Sequence, residues 1–255
     1  PTFYTRLLAD RGLTRDTTAH MRLFISGSAP LSPATHAEWR DRTGHAILER
    51  YGMTETNMIT SNPYDGDRRA GTVGMPLPGV EVRVTGPEGE ALPVGEAGAI
   101  EVRGPNVFQG YWNLPEKTAE EFRTGRWFIT GDLGAFDARR YLSILGRAKD
   151  LVITGGFNVY PAEVEAALDD LPGVAASAVI GVPHPDFGEA VVACLVPAPG
   201  AALSEDGVRA ALRDRLAAFK IPKRVLVLSD LPRNAMGKVQ KADLRKTHAG
   251  LFAAP

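Results

Sequence analysis

Residues 49–56 read Glu49-Arg50-Tyr51-Gly52-Met53-Thr54-Glu55-Thr56 and form the most specific stretch of the chain. They follow a short β-type run, so the pattern predicts a loop that is rich in hydroxyl groups and carries an acid. Thr54 can donate to a phosphate oxygen, and Tyr51 can stack on a base. Glu55 can help to hold the magnesium ion that nucleotide phosphates bring. Taken alone, the same residues also fit a threonine-rich surface turn.

The sequence before this stretch alternates between helix and strand signals. The pattern predicts a helix over residues 1–13, with an apolar face formed by Phe3, Leu7 and Leu8. A β-type run over 21–26 then ends in the loop Gly27-Ser28-Ala29-Pro30. Ser32 followed by Pro33 is the N-cap and first-turn signal of the next helix. Strand, glycine-containing loop and helix in this order predict an α/β fold.

The sequence after this stretch changes character twice. From about Gly71 to Gly146, short strands separated by Gly and Pro predict a β-barrel-like subdomain, with strands 80–84, 99–103 and 141–145 and a helix 116–122. Beyond Lys149 we expect a small α+β domain with helices 161–170 and 204–217 and strands 176–182, 190–196 and 224–228. The predicted domains are therefore 1–148, of α/β type with the β-rich part over 71–146, and 149–255.

The composition limits the classes of partner. The 255 residues are 44% hydrophobic, which suffices for a sizeable core, and 29 Lys and Arg balance 30 Asp and Glu. The net charge therefore produces no electrostatic field that would favour binding to nucleic acid or to an anionic membrane. A basic run of Arg233, Lys238, Lys241, Arg245 and Lys246 lies near the C-terminus, but Asp243 interrupts it and no aromatic stacking set accompanies it. We expect no nucleic-acid partner.

Localisation and metal binding can be constrained in the same way. No apolar stretch approaches the roughly 20 residues that span a bilayer, and no charged-then-apolar leader opens the chain. Cys194, the single cysteine, lies in the apolar run 191–196, which suits a buried side chain and a reducing compartment. The five histidines lack metal-ligand spacing. We therefore expect a cytoplasmic protein with no membrane partner and no zinc site.

Four further signatures follow the 49–56 stretch in order. They are Thr130-Gly131-Asp132 at the end of a β-type run, Gly146-Arg147-Ala148-Lys149-Asp150, Gly155-Gly156-Phe157-Asn158, and Pro232-Arg233-Asn234-Ala235-Met236-Gly237-Lys238. Each could be ordinary structure: an acidic turn, a solvated Arg-Lys pair, a hairpin and a basic tail. Together they resemble the adenylate-forming superfamily of acyl-CoA synthetases, luciferases and peptide-synthetase adenylation domains. The resemblance runs from the helix before Gly27 through Lys241.

The resemblance implies an ATP/AMP site in the first domain. Thr54 would contact the α-phosphate, Glu55 would hold Mg²⁺, and Asp132 would accept hydrogen bonds from the ribose hydroxyls with Arg147 assisting. A carboxylate suits the ribose because it is an acceptor only and can engage two donors. The implied nucleotide-binding residues are Gly27, Ser28, Ala29, Pro30, Tyr51, Gly52, Met53, Thr54, Asp132 and Arg147, of which the glycine loop and Tyr51 would form the adenine slot.

The resemblance also implies two half-reactions and a mobile second domain. Lys238 would be the catalytic lysine of the first, because an anionic carboxylate must approach an anionic α-phosphorus and an ammonium offsets the charge that builds there. The second domain would then rotate about a hinge at Lys149. Gly155 and Gly156 would next flank the tunnel of the second substrate, CoA, although Gly156 also fits a simple hairpin glycine.

Arg50 is informative about the acid that would be activated. A cation before the Tyr-Gly-Met-Thr-Glu motif could pair with a second carboxylate and disfavour monocarboxylates. The runs 50–63, 155–161 and 232–241 resemble malonyl-CoA synthetases, so malonate is the expected acid. Arg50 could instead brace the fold, and Met58 fits both the acyl pocket and the core. The alternatives are methylmalonate, a medium-chain acid, or a peptide-synthetase-type module that loads a carrier protein.

One part of the superfamily pattern is missing from these residues. The phosphate loop with its own lysine belongs upstream of Pro1, and no Gly-x-x-x-x-Gly-Lys-[Ser/Thr] pattern occurs within the chain. We therefore expect residues 1–255 alone to be inactive and to need an N-terminal portion of the same protein. An inactive nucleotide-binding homologue is a further alternative, which the joint presence of Lys238, Glu55 and Asp132 disfavours.

Overall fold

The computed structural model describes residues 1–235 and 237–253. They form two compact units, Pro1–Ile144 and Leu145–Pro255. Met236, which belongs to the predicted lysine motif, lies outside the described residues. The assignment of nucleotide and acyl binding to one domain and of the catalytic lysine to the other stays a prediction.

The first unit begins with helices packed on a mixed sheet. Its elements are α1 (Thr2–Leu8), α2 (Arg15–Thr18), β1 (Ile25–Ser26), α3 (Pro33–Thr43), β2 (Leu48–Met53), β3 (Asn57–Ser61) and β4 (Met75–Pro76). The strand order is β1-β2-β3-β4, with β1 parallel to β2 and the other pairs antiparallel. Helix α3 begins as predicted, because Ser32 accepts a hydrogen bond from the Thr35 amide at 3.1 Å and Pro33 follows.

The predicted first helix is wrong in length and in its buried face. Helix α1 ends at Leu8, not at residue 13, and Phe3 and Leu7 are exposed. Tyr4 is the buried residue, because its hydroxyl donates to the Ile25 carbonyl at 2.7 Å and its ring meets Trp39 edge-on. The β-type run over 21–26 is likewise reduced to two residues, Ile25 and Ser26.

A second sheet follows along the chain, and its last strand runs past Ile144, where the first unit ends. It contains β5 (Glu81–Thr85), β6 (Gly98–Arg103), β7 (Phe122–Arg123), β8 (Trp127–Phe136) and β9 (Leu142–Arg147), with helix α4 (Pro115–Glu120) before β7. The order is β5-β6-β8-β7, and β9 pairs with β8. Asp132 was predicted at the end of a strand, but it lies inside β8, because pairing with β6 and β9 extends that strand to Phe136.

Glu101 is a fully buried carboxylate on β6. Its Oε2 accepts from Arg83 at 2.7 Å, and its Oε1 accepts from Arg123 at 2.6 Å and from the Thr85 hydroxyl at 3.0 Å. A buried carboxylate is tolerated when opposite charges and hydrogen bonds satisfy it. This network fixes the sheet whose strand β6 leads into the segment 104–114.

The second unit is a five-stranded sheet covered by helices. It begins with a 3₁₀ turn, Ala148–Asp150, and a further 3₁₀ turn covers Ala218–Lys220. The strands are β10 (Val152–Thr154), β11 (Phe157–Val159), β12 (Val174–His184), β13 (Gly188–Pro197) and β14 (Arg224–Val227), and the helices are α5 (Pro161–Asp169), α6 (Glu205–Leu212) and α7 (Lys241–His248). The order is β11-β10-β13-β12, with β14 parallel to β13. Helix α6 is shorter than predicted, because the chain after Leu212 continues as turns.

Both faces of this sheet are buried, as its near-continuous apolar strands indicate. Val179, Val191 and Leu195 pack in a cluster with residues of α5 and α6. Ile180 and Cys194 pack in another cluster, which includes Leu244 of α7. Cys194 is fully buried, and burial raises the pKa of its thiol to about 11, so it acts as a small hydrophobic side chain.

The predicted fold class is confirmed: an α/β part, a curled β-rich part and a small α+β region follow one another along the chain. Among the helices within 1–235 and 237–253, none is long and apolar enough to cross a bilayer.

Candidate active site

The 49–56 stretch is not a loop throughout, which corrects the sequence prediction. Residues up to Met53 belong to β2, where Arg50 pairs with Ser61, and only the residues from Thr54 to Thr56 form a turn. Gly52 is required by this hairpin, since a Cβ there would lie 2.0 Å from the Asn57 carbonyl oxygen. The prediction of a loop was wrong because Glu and Gly, which occupy positions 49 and 52, are depleted in strands.

Five predicted site residues line one small concavity in the first unit. It has a volume of about 170 Å³ and is lined by Ile25, Gly27, Ser28, Arg50, Gly52 and Met58. Ser28 adopts a left-handed conformation with φ of +69°, which turns the loop after β1. Ala29 and Pro30 are exposed beyond it. The strand β1 and the β2–β3 hairpin therefore bring the predicted loop and acyl-pocket residues together.

Arg50 is the cation of this concavity. Its Cγ packs against Gly27, at 3.6 Å from the position of a Cβ on that residue. Within 1–235 and 237–253, no carboxylate forms an ion pair with Arg50. A guanidinium in this position can bind an anionic ligand bidentately. Ile25 also lines the concavity and was missed, although its place two residues before the loop was a usable signal.

Tyr51 and Asp132 are brought together by the fold, although 81 positions separate them in the sequence. The Tyr51 hydroxyl donates to Asp132 Oδ2 at 2.5 Å, and both residues are buried. The Asp132 amide donates to the Thr130 hydroxyl oxygen at 3.1 Å. Met53 is half-buried against the same core as Tyr51. These contacts hold the carboxylate of Asp132 in one orientation, and its predicted ribose contact stays a prediction.

Glu55 is half-buried in the turn, beside the exposed Thr54. Its Oε1 accepts from the Tyr111 hydroxyl at 3.1 Å, and its carbonyl accepts from the Phe108 amide at 2.7 Å. Burial and the Glu55 carboxylate raise the pKa of Tyr111 to about 12, so the phenol stays a donor. Sequence reasoning missed Tyr111, since no local pattern connects it to the turn.

The donor set around Glu55 can be compared with the needs of Mg²⁺. In the described part of the chain, no group of three or more His, Cys, Asp or Glu could form a metal cage. Mg²⁺ in nucleotide sites is bound by one or two carboxylates together with phosphates and water. Glu55, with Oε1 held by Tyr111 and no hydrogen bond to Oε2 from the described residues, fits that single-carboxylate role.

A buried acid, Glu49, precedes Arg50 and was also missed. Its side chain is 7% exposed, and its Oε1 has no hydrogen-bond partner within the described ranges. Burial raises the pKa of Glu49 to about 7, an effect that a hydrogen bond from the Gly71 backbone reduces. The Ser26 hydroxyl, on the residue paired with Glu49, is buried without a described partner as well.

In the second unit, Gly155 and Gly156 form the two-residue turn of the β10–β11 hairpin. Both have positive φ, +56° and +82°, as a type I′ turn requires. A Cβ on Gly156 would have no atom within 4 Å, whereas one on Gly155 would lie 3.6 Å from Phe187. The hairpin alone explains both glycines, and their predicted contact with CoA stays a prediction.

The predicted hinge residue Lys149 lies in the 3₁₀ turn Ala148–Asp150. Arg147, Ala148 and Lys149 are exposed, and Gly146 has a φ of +142°. Asp150, by contrast, accepts from Arg245 of α7 at 2.7 Å. Lys149 is therefore an exposed residue directly before the anchored Asp150. The predicted role of Arg147 beside the ribose stays a prediction.

Lys238 is exposed on a short turn that precedes α7. Arg233 and Val239 form an antiparallel bridge across it. The Asn234 side-chain oxygen accepts from the Lys238 amide at 2.9 Å, and the Asn234 amide donates to the Lys238 carbonyl at 2.9 Å. The backbone of Lys238 is thus fixed, while its ammonium forms no ion pair with any described carboxylate.

Two protein-family models match this chain, one in each half of the sequence. The model for the AMP-binding enzyme matches residues 1–112, and that for the AMP-binding enzyme C-terminal domain matches residues 163–238. A malonate–CoA ligase of Arabidopsis thaliana is 42% identical over 97% of this chain and 43% of its own length. A feruloyl-CoA synthase of an Amycolatopsis species is 41% identical over 96% of this chain and 50% of its own.

A solved structure gives a still stronger match. The ATP-bound MatB of Rhodopseudomonas palustris is 63% identical and superposes with a TM-score of 0.96, over 99% of this chain and 50% of that one. The chain thus spans about half the length of the relatives it matches. Identity to the malonate and ferulate enzymes is nearly equal, so overall similarity does not discriminate between acids.

Proposed function

This chain belongs to the AMP-binding, adenylate-forming enzymes, and on that premise we propose that the full-length protein is an acid–CoA ligase that converts malonate, ATP and CoA into malonyl-CoA. In the first half-reaction, a carboxylate oxygen of malonate attacks the α-phosphorus of ATP, and pyrophosphate leaves. In the second, the CoA sulfur attacks the acyl carbon of malonyl-adenylate, and AMP leaves with the bonding electrons. The thiol proton is released to solvent or to a base.

The single observation that carries the choice of malonate is the place of Arg50. Arg50 lines the concavity with Gly27, Ser28, Gly52 and Met58, its Nε lies 4.0 Å from the position of a Cβ on Gly27, and it forms no ion pair with a described carboxylate. A dicarboxylic acid offers a second carboxylate after the first has been positioned for attack. Binding that group to a guanidinium gives two charge-assisted hydrogen bonds, which a monocarboxylate cannot form.

The roles of the other first-unit residues follow from their chemistry. Asp132, oriented by Tyr51, would accept from the ribose hydroxyls. Thr54, exposed in the turn beside Glu55, would donate to the α-phosphate. Glu55 would hold Mg²⁺, which when bound neutralises phosphate charge. These assignments are supported by the hydrogen bonds that fix Asp132 and Glu55 before any ligand arrives.

The second unit would supply the group that moves. The ammonium of Lys238 is exposed on a turn with a fixed backbone, so it can approach an anionic reaction centre. We assign the pivot to Lys149, since this residue is exposed in the 3₁₀ turn and Asp150 directly after it is anchored to α7. Rotation about this pivot between half-reactions would withdraw Lys238 and present the Gly155–Gly156 turn to CoA.

The proposal is tested by measuring AMP release by the full-length enzyme with a panel of acids. The panel contains malonate, methylmalonate, succinate, propanoate, octanoate and ferulate, each with wild type, Arg50→Ala and Arg50→Lys. We expect Arg50→Ala to lower kcat/KM for malonate at least about 100-fold while leaving propanoate unchanged, and Arg50→Lys to be intermediate. Arg213→Ala, which removes another exposed arginine, serves as the control. Unchanged selectivity in Arg50→Ala would refute malonate recognition by this residue.

A further inference from the structure

The turn that carries Glu55 is braced by one neighbouring segment, residues 106–111. The Asn106 side-chain amide donates to the carbonyls of Thr56 at 2.8 Å and Met58 at 3.2 Å. The Phe108 amide donates to the Glu55 carbonyl at 2.7 Å, and the Tyr111 hydroxyl donates to Glu55 Oε1 at 3.1 Å. Both the backbone and the side chain of the turn are therefore held from the same side.

Tyr111 is itself held in place on several sides. Its amide donates to the Thr118 hydroxyl oxygen at 2.9 Å. Its ring meets Phe108 edge-on, with centroids 4.9 Å apart, and Lys117 lies 5.5 Å from the ring centroid. Because the ring is fixed by packing and the backbone by a hydrogen bond, the hydroxyl has little freedom to leave Glu55.

We infer that Tyr111 is a positioning residue for Glu55: its hydroxyl fixes the carboxylate so that Oε2 is presented to the metal–nucleotide complex. A carboxylate that is free to rotate about its last torsion would divide its time among several orientations. A donor on one oxygen selects an orientation and leaves the lone pairs of the other oxygen for the cation. This inference rests on the proposed adenylation, which requires Mg²⁺ together with ATP.

Glu55 would lose this orientation, but not its charge, when the phenol oxygen is removed. Tyr111→Phe keeps the aromatic ring and its contact with Phe108. It also keeps the hydrogen bond that the backbone amide of residue 111 donates to the Thr118 hydroxyl oxygen. Loss of a partner that orients a ligand typically weakens metal affinity or activity by about 10- to 100-fold. We expect the Mg²⁺ concentration for half-maximal ATP–pyrophosphate exchange to rise about 10-fold in the full-length enzyme, with the rate at saturating Mg²⁺ largely restored.

Tyr141→Phe is the matched control. Tyr141 lies in the same unit, is buried, and donates through its hydroxyl to the Asp67 carbonyl at 2.8 Å. Its removal deletes an equivalent phenol hydrogen bond away from Glu55, so its Mg²⁺ dependence should equal that of wild type. Thr118→Val, which removes the acceptor of the Tyr111 amide and keeps the side-chain shape, should shift the Mg²⁺ dependence in the same direction by a smaller factor.

A binding measurement separates positioning from general damage to the fold. Mn²⁺ binding to the enzyme with ATP, followed by electron paramagnetic resonance of the free ion, should weaken about 10-fold in Tyr111→Phe and stay unchanged in Tyr141→Phe. Equal Mn²⁺ affinity in wild type and Tyr111→Phe would overturn the inference. So would a loss of exchange rate that is the same at every Mg²⁺ concentration.

A failure of the proposed ligase activity can be distinguished from a failure of the inference about Tyr111. If the wild-type enzyme supported no exchange with any acid, the proposed ligase activity would be wrong. Mn²⁺ binding in the presence of ATP would still decide whether Tyr111 orients Glu55, since that measurement needs no acid and no turnover.

Discussion

Glu55 and Asp132 of the first unit each accept a hydrogen bond from a tyrosine hydroxyl, whereas Lys238 of the second unit is exposed on a short turn. The two carboxylates belong to a turn and a strand that neighbouring segments hold through backbone and side-chain contacts. The ammonium of Lys238 forms no ion pair with the described carboxylates, and only its backbone is fixed, by Asn234.

This difference separates groups that should be preorganised from a group that should move. Groups that bind the same ligand atoms throughout a reaction act best when hydrogen bonds orient them in advance. A group needed in only one step must be able to leave, so strong partners in its own unit would hinder it. The four predictions that follow test either the fixed side or the mobile side of this contrast.

The largest expected effect is on the mobile side. Lys238→Ala in the full-length enzyme should lower ATP–pyrophosphate exchange about 100- to 1,000-fold, which is the usual loss when one donor to a transition state is removed. Conversion of preformed malonyl-adenylate and CoA into malonyl-CoA should be largely retained. Thermal unfolding should not change, because the side chain is exposed and makes no described ion pair.

Lys246→Ala is the control for this variant. Lys246 is another exposed lysine, on α7, and its removal changes the net charge equally. It should leave both half-reactions intact. Equal losses of exchange and of thioester formation in Lys238→Ala would contradict the separation of a fixed and a mobile side.

The second prediction tests the rigidity of the fixed side. Glu101→Gln should lower the free energy of unfolding by about 3 kcal/mol, because removing one partner of a buried ion pair leaves uncompensated charge. Urea denaturation measures this. Glu81→Gln breaks a pair with Arg103 on the same sheet, but both residues are exposed, so the change should be small. Equal stability losses in the two variants would show that burial does not set the strength of the Glu101 network.

The third prediction concerns the Gly155–Gly156 turn. Gly156→Ala and Gly156→Leu should each destabilise the hairpin by about 1–2 kcal/mol, since both put a Cβ at positive φ. Only Leu should strongly impair CoA acylation, because the unit itself leaves space around that Cβ and a bulky side chain would enter the space assigned to CoA. Separate assays of the half-reactions measure this, with exchange expected to be unaffected.

Gly155→Asn completes this test. Asn tolerates a positive φ and is favoured at the first position of a type I′ turn, so the hairpin and ATP–pyrophosphate exchange should survive. Equal acylation rates for Gly156→Ala and Gly156→Leu would remove this glycine from the CoA path and leave it as a hairpin residue only.

The sequence predicts local features of this molecule better than its long-range contacts. The Ser32 N-cap and the Gly155–Gly156 hairpin follow from residue types that favour one backbone geometry. Arg50, Gly52 and Met58 lie near one another because a single hairpin carries them, so their common concavity could be anticipated.

Contacts between distant segments could not be predicted in this way. The hydrogen bond between Tyr111 and Glu55 joins residues that are 56 positions apart in the sequence. The hydrogen bond between Tyr51 and Asp132 joins residues that are 81 positions apart. The prediction of the buried face of the first helix was wrong for the same reason. The hydrogen bond from the Tyr4 hydroxyl to the Ile25 carbonyl decides which side of the helix is buried. Residues 49–53 join a strand because partners on both sides outweigh weak local propensity.

The smallest effect is expected for the ion pair of Asp150 and Arg245, which anchors the chain directly after the proposed pivot Lys149. The donor–acceptor distance is 2.7 Å and both side chains are mostly buried. A double-mutant cycle with Asp150→Asn and Arg245→Gln should give a coupling free energy of about 1 kcal/mol in urea unfolding. The exposed pair Lys117–Glu121 on α4 should give no measurable coupling. If the changes in the free energy of unfolding caused by Asp150→Asn and Arg245→Gln were additive, the ion pair would contribute nothing to stability. The pivot would then extend past Lys149 into β10.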